Sequence, residues 1–141
     1  MAKRHTLGLR TARENIADLC DAGSFSEYGA LAIAAQRRRR ELADLIRNTP
    51  ADGLVAGIGN INGALFGKEQ TRCVVMAYDA TVLAGTQGMN NHHKTDRMLA
   101  IALEQKLPVV LFAEGGGGRP GDTDATAVAG LHLATFGSYA R

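Results

Sequence analysis

Two cysteines are all the chain carries. Cys20 and Cys73 lie far apart and inside predicted elements. They read as reduced core residues, and no disulfide framework is expected. A metal site is not expected either: His92 and His93 are adjacent and diverge on a helix, and no cysteine or carboxylate cluster completes a ligand set. No apolar run approaches the ~20 residues that span a bilayer. The start, MAKRHT, is basic but no apolar stretch follows it, so no signal peptide is expected. These absences point to a cytoplasmic protein without membrane contact. Net charge is only +2, too small to imply nucleic acid or membrane by itself. Internal repeats and low-complexity linkers are missing as well.

Several catalytic signatures are also missing. There is no GxSxG elbow and so no signalled hydrolase nucleophile. Four glycines are followed by Arg-Pro rather than Lys-Ser or Lys-Thr, so there is no P-loop. No GxGxxG opens a helix after a strand, and no aromatic ladder supports single-strand binding. What survives is chemistry performed by backbone donors. Such a site needs glycines more than it needs acid–base side chains.

What is present suits one α/β domain, or part of a larger one. The chain has 141 residues, 45% of them hydrophobic and 21% charged, ordinary for a soluble globular protein. Its 17 glycines cluster between Gly53 and Gly88 and again over residues 115–121, which suggests tight connections between strands. The organising stretch is residues 107–122, LPVVLFAEGGGGRPGD. Residues 109–113 form an apolar run with breakers on both sides and predict a buried strand. Gly115, Gly116, Gly117 and Gly118 follow, then Arg119. Glycine-rich backbone at the end of a buried strand is where a parallel sheet usually meets its ligand, and glycine lets N–H groups converge without Cβ interference. Two readings stand: an anion or oxyanion site with Arg119 adding positive charge, or a flexible loop.

Along the chain, residues 1–9 read as a loose arm, 10–48 as helical and 53–141 as an α/β core. Thr11 and Glu14 fit a capping box at the start of the first helix, which Gly23 ends. A second helix is expected over 30–48, with Leu31, Ala35, Leu42, Leu45 and Ile46 at helical spacing. Arg37, Arg38, Arg39 and Arg40 would then point in four directions and form no flat nucleic-acid patch. They read as a solvated face pairing Glu41 or Asp44, with a phosphate-binding role as the rival. Strands are expected at 54–58 and 71–77, the latter resuming at 81–84 past a turn closed by Asp79. A helix should run from 91 to 106. Its first turn carries His92, His93 and Lys94, which oppose the helix dipole and hint at a bound anion. A final helix is expected from Asp124 to about Tyr139, with Asp122, Thr123 and Asp124 as N-cap candidates. The expected core comprises Val55, Ile58, Val74, Val75, Val82, Ile101, Val110 and Leu111.

Five stretches taken together resemble a known family. They are DAGSFSE at 21–27, TPADGLVAGIG at 49–59, YDATVLAGTQG at 78–88, the helix bearing Lys94 and Arg97, and LPVVL with GGGGR at 107–119. Their order and spacing are similar to the carboxyltransferase component of biotin-dependent acyl-CoA carboxylases, a branch of the crotonase-like superfamily. The resemblance implies an α/β fold, the N-terminal portion of a crotonase-like ββα spiral with helices packed outside. It implies transfer of a carboxyl group from carboxybiotin, carried on a partner, to the α-carbon of an acyl-CoA, as in fatty acid metabolism. An enolate oxygen would be held by peptide N–H groups, here Gly116 and Gly117. Gly115, Gly118, Arg119, Lys94 and Arg97 would contact the substrate. Implied partners are biotin carboxyl carrier and biotin carboxylase subunits or domains. The family's chain is several times longer, so the resemblance also implies a truncated chain with little activity of its own. Such a chain would leave apolar surface uncovered and self-associate. The alternatives are a stand-alone CoA- or nucleotide-binding module, a nucleic-acid binder using residues 37–40, and a purely structural fragment.

Overall fold

The computed structural model describes residues 2–67, 69–124 and 134–140. Four strands make one sheet: β1 (Ser26–Tyr28), β2 (Leu54–Asn60), β3 (Arg72–Tyr78) and β4 (Val109–Phe112), in the order β1-β2-β3-β4. β1, β2 and β3 pair antiparallel in turn, and β4 joins β3 in parallel. A parallel neighbour requires a crossover of a dozen or more residues. The helix α5 (Met89–Gln105) supplies most of it.

Helices cover both faces of the sheet. On one face Leu54, Ala56 and Ile58 of β2 and Val74, Met76 and Tyr78 of β3 pack under Met98, Leu99, Ile101 and Ala102 of α5. On the other, Val55, Cys73, Val75 and Ala77 pack under Ala12, Ile16 and Cys20, which belong to α2 (Ala12–Leu19) and its C-cap. Burial on both faces is why β3 reads as a continuous apolar run rather than an alternation. Of the expected core, Val55, Ile58, Val74, Val75, Val82 and Ile101 are buried. Val110 and Leu111 are only half-buried, because β4 is the outermost strand of the described sheet. Both cysteines are buried and free.

The capping box at α2 forms as expected: the Glu14 amide donates to Thr11 Oγ1, and the Glu14 carboxylate accepts from the Thr11 amide at 2.7 Å. Asp79 closes its turn by accepting from the amide and hydroxyl of Thr81.

Three expectations need correction. Residues 1–9 are no loose arm: α1 (Ala2–Thr6) is helical, and Arg4 is tied to the body of the chain. The helix expected over 30–48 is confined to α3 (Leu42–Asn48). Upstream, Ala34, Ala35 and Gln36 are buried and their polar groups bond to distant segments. The Ala34 amide donates to Thr49 Oγ1, and Gln36 Nε2 donates to Asp122. Those long-range bonds override the helical spacing. The strand expected at 81–84 is instead a tight turn, Leu83–Gly85, in which Leu83 and Ala84 take left-handed φ values of 46° and 57°. The turn aims the Gly85 carbonyl at the glycine loop.

Two short helices remain, α4 (Gly63–Phe66) and α6 (Thr135–Ser138). The part of the expected final helix at 125–133 lies outside the described residues.

Candidate functional site

β4 delivers the chain into Glu114 and the glycine loop, which runs alongside residues 84–87. Gly116 N–H donates to Gly85 O at 2.9 Å, Gln87 N–H to Gly117 O at 2.8 Å, and Arg119 N–H to Gln87 O at 2.8 Å. The last two form a parallel bridge between Gln87 and Gly118. This approach explains two of the glycines. A Cβ on Gly116 would lie 2.4 Å from Ala84 O, where no side chain fits. Gly117 has φ of +80°, and the space where its Cβ would stand is open. Its amide meets no protein acceptor among the described residues, whereas the Gly116 amide is engaged. The loop is therefore pinned through Gly116 and Arg119, and the amides of Gly115, Gly117 and Gly118 have no protein acceptor among the described residues.

Arg119 pins it. The side chain is buried, not displayed to a ligand. Nη1 donates to Asp52 Oδ1 at 2.5 Å, Nη2 to Thr86 O at 2.6 Å and Nε to Thr86 Oγ1 at 3.2 Å. Asp122 Oδ1 lies 3.4 Å from Nη1. Arg119, expected to contact the substrate, is here a buried cation whose guanidinium bonds to groups within the protein. Burial pushes the Asp52 carboxyl up, and the Arg119 guanidinium opposes that shift.

The same two carboxylates explain the cations in the first turn of α5. The Asn91 amide donates to Asp52 Oδ2 and the Met89 amide to Asp122 Oδ2, each at 2.8 Å. The anion that His92, His93 and Lys94 hint at is thus already supplied from within the chain, at the helix end where negative charge is favoured. Asp122 accepts from the first turn of α5. Asp52, Thr86 and Asn91 were not singled out by the sequence. A buried polar residue in a turn gives no signal until its partner, here 67 positions away, is known.

Lys94 and Arg97 meet elsewhere. Both line a cavity of about 300 Å³ with Tyr28, Asn90 and His93, and none of the loop glycines lines it. Lys94 Nζ donates to the carbonyls of Ala51 and Leu54. Burial pulls its pKa down to about 8, with Glu27 and Asp52 opposing. Arg97 is exposed. Among the described residues no group of three or more metal-ligating side chains converges, and no helix is long and apolar enough to cross a membrane.

Residues 3–134 match the carboxyl transferase domain family. The chain is 32% identical over 137 residues to a propionyl-CoA carboxylase β chain of Saccharopolyspora erythraea, covering 96% of this chain and 23% of that one. Among solved structures, a single-chain, multi-domain long-chain acyl-CoA carboxylase superposes with a TM-score of 0.92 at 64% identity, covering 99% of this chain and 14% of that one. The transcarboxylase 12S hexamer, with methylmalonyl-CoA and methylmalonic acid bound, superposes with a TM-score of 0.69 at 28% identity, covering 99% of this chain and 24% of that one. The chain thus spans about a quarter or less of these relatives' lengths. The four-stranded sheet with its parallel crossover and pinned glycine turn is the corresponding part of their crotonase-like fold, and the chain belongs to the carboxyl transferase domain family.

Proposed function

We propose that this chain supplies one part of an acyl-CoA carboxyltransferase site, in which the Gly117 amide holds the thioester oxygen while the α-carbon of the acyl group accepts a carboxyl group. The observation that carries this reading is the different state of two neighbouring glycines: Gly116 N–H is spent on Gly85 O, whereas Gly117 sits in an open left-handed turn and its N–H has no acceptor among the described residues. A donor fixed in this way stabilises negative charge as it develops on the oxygen, and costs little reorganisation at that moment. Gly115, Gly116 and Gly118 form the rest of the turn. Arg119 holds its exit and Gly85 its entry. Arg97, at the cavity it shares with Lys94, offers a charge to the CoA phosphates. Lys94 contributes through the field of its half-buried ammonium, since its donors already face carbonyl oxygens.

Biotin, as carboxybiotin on a partner carrier domain, would supply the carboxyl group. The donor chemistry described here fits a thioester oxygen, and none of these residues is assigned to the biotin ring. A second oxyanion donor and the biotin side would come from parts of the enzyme beyond this chain, as would contacts to biotin carboxyl carrier and biotin carboxylase. Loss of one such donor typically lowers the rate roughly 10²–10³-fold, so the isolated chain should turn over little. Leu31, Leu65, Phe66 and Phe136 are 96%, 75%, 60% and 71% exposed. Apolar surface of that kind suits an assembly of several copies in the cytoplasm.

Titration of acetyl-CoA into the ¹⁵N-labelled chain tests the reading. The Gly117 amide resonance should move progressively with ligand while the Gly116 resonance moves little. Saturable binding with Gly117 unmoved would sink the assignment.

A further inference from the structure

Arg37, Arg38 and Arg39 lie on no helix, so the helical step of roughly 100° does not set their side chains apart. Residues 36–40 form a turn in which the Arg39 and Arg40 amides both donate to Gln36 O, at 3.1 and 3.0 Å. A single carboxylate braces it from outside: the Asp124 oxygens accept from the amides of Arg37 and Arg38 at 2.8 and 3.0 Å. Asp124 is thereby spent on backbone, not on guanidinium. Arg40 takes Asp44 at 2.6 Å. The side chains of Arg37, Arg38 and Arg39 are exposed and form no salt bridge among the described residues. The undescribed residues contain no Asp or Glu to pair them. Three exposed guanidinium groups without an ion-pair partner on one braced turn offer donors suited to phosphate.

The turn also has a place to put what the phosphate is attached to. A cavity of about 250 Å³ lies between residues 33–35 and the start of α5, with Arg37 and Asp124 on its polar side. Roughly 300–1,000 Å³ is usual for a whole drug-sized ligand, so this one suits a single ring system. Asn90 lines both this cavity and the one holding Lys94 and Arg97, so the two are neighbours. The Arg39 guanidinium packs against Gly121: a Cβ there would lie 2.6 Å from it. Gly121 is four residues from Gly117, a span of at most about 14 Å of extended chain. A long flexible ligand could therefore leave its reacting end at the glycine turn and its charged end at the arginines.

We infer that the turn carrying Arg37, Arg38 and Arg39 binds the phosphorylated nucleotide end of the CoA ester, with the adjoining cavity taking the base. This rests on the acyl-CoA reading above. The test is isothermal titration of the chain with CoA and with 3′-dephospho-CoA, beside the variant Arg37→Gln/Arg38→Gln/Arg39→Gln. Circular dichroism checks that the variant folds. The parent should bind CoA about tenfold or more tightly than 3′-dephospho-CoA, as one charge-assisted contact to a phosphate requires. That preference should shrink as salt rises and vanish in the variant. A variant that keeps the preference overturns the inference. So does a parent whose Gly117 amide responds to acetyl-CoA but which binds both forms of CoA alike, an outcome that leaves the glycine-turn reading standing. A parent that binds no CoA thioester overturns both. Equal capture of a mixed-sequence RNA oligonucleotide would reassign the arginines to nucleic acid.

Discussion

Arg119 and Asp52, 67 positions apart in sequence, meet at 2.5 Å with side chains only 4% and 0% exposed. The pair ties the exit of the glycine turn to the start of β2, and through Asp52 Oδ2 to the α5 amide of Asn91. A buried pair of this kind is weak evidence for stability as a whole, but removing one partner leaves a charge stranded in a medium that solvates it poorly. Asp52→Asn should therefore cost about 3–5 kcal/mol, towards the lower end because Asp122 stands 3.4 Å from the same guanidinium. Asn tolerates the left-handed φ of 49° at this position, so the substitution tests charge more than backbone. Asp52→Asn with Arg119→Met should cost clearly less than the two single changes added together. Urea unfolding of the four proteins gives the coupling, and strict additivity would refute it.

Gly88 is a second constraint on the same cluster. Its φ of −104° is ordinary, so any residue could adopt the backbone. A Cβ, however, would lie 2.2 Å from Asp122 Oδ2 and 2.5 Å from Arg119 Nη1, both in a packed interior. Gly88→Ala should destabilise by about 1–3 kcal/mol, the usual range for overpacking. Gly118→Ala is the matched comparison, because nothing stands within 4 Å of that site. Its effect should stay within about 0.5 kcal/mol. Equal costs at the two positions would mean that the loop, not the cluster, sets the requirement for glycine.

Sequence reasoning reached the parts of this structure that are encoded locally. The Thr11–Glu14 box, β2, β3, β4, α5 and the Asp79 turn all rest on residues within a few positions of one another. The glycine turn was legible for the same reason. Reasoning failed where distant partners decide. The stretch 30–41 carries helical spacing, yet Thr49, Asp122 and Asp124 capture its polar groups. Leu83 and Ala84 look like strand residues, yet they turn left-handed so that Gly85 O can meet Gly116 N–H. The internal partner of Arg119 was not legible, because Asp52 resembled an ordinary turn residue in Ala-Asp-Gly. Asp122 was recognised as a capping residue, but its bond to the start of α5, a helix that precedes it in sequence, was not legible.

Lys94 should leave a mark on the pH dependence of stability. Its pKa falls from 10.5 to about 8 on folding, chiefly through burial. Below pH 8 both folded and unfolded chains hold the proton, and the burial cost is fully present. Between pH 8 and 10.5 the unfolded chain holds more protons than the folded one, so this group makes stability rise with pH. Cys20, Cys73, Tyr78 and Tyr139 are all shifted upward and act in the opposite direction. The comparison must therefore be with Lys94→Met. The stability of the parent relative to that variant should climb by roughly 1–3 kcal/mol from pH 8 to pH 10. A flat difference would mean that the Ala51 and Leu54 carbonyls hold the ammonium charged despite its burial.

Arg4 connects the first helix to the candidate site. Its guanidinium donates to both oxygens of Glu114, at 2.9 and 2.7 Å, and to the carbonyl of Arg10. Glu114 is the residue immediately before the four glycines, and its side chain is 47% exposed. An ion pair open to solvent on one side contributes at most about 1 kcal/mol, so Arg4→Gln should change global stability by less than that. Its local effect should be larger. The Gly116 amide is protected by its bond to Gly85 O, and that bond breaks whenever the segment from Glu114 onward lifts away. Freeing Glu114 should make Gly116 exchange its amide hydrogen several-fold faster, while amides of β3 stay as protected as before. Salt near 1 M should reproduce part of the effect in the parent, because an exposed pair is screened at that concentration. If Gly116 exchange does not change in Arg4→Gln, the turn is held by Arg119 and residues 84–87 alone, and α1 takes no part in shaping the site.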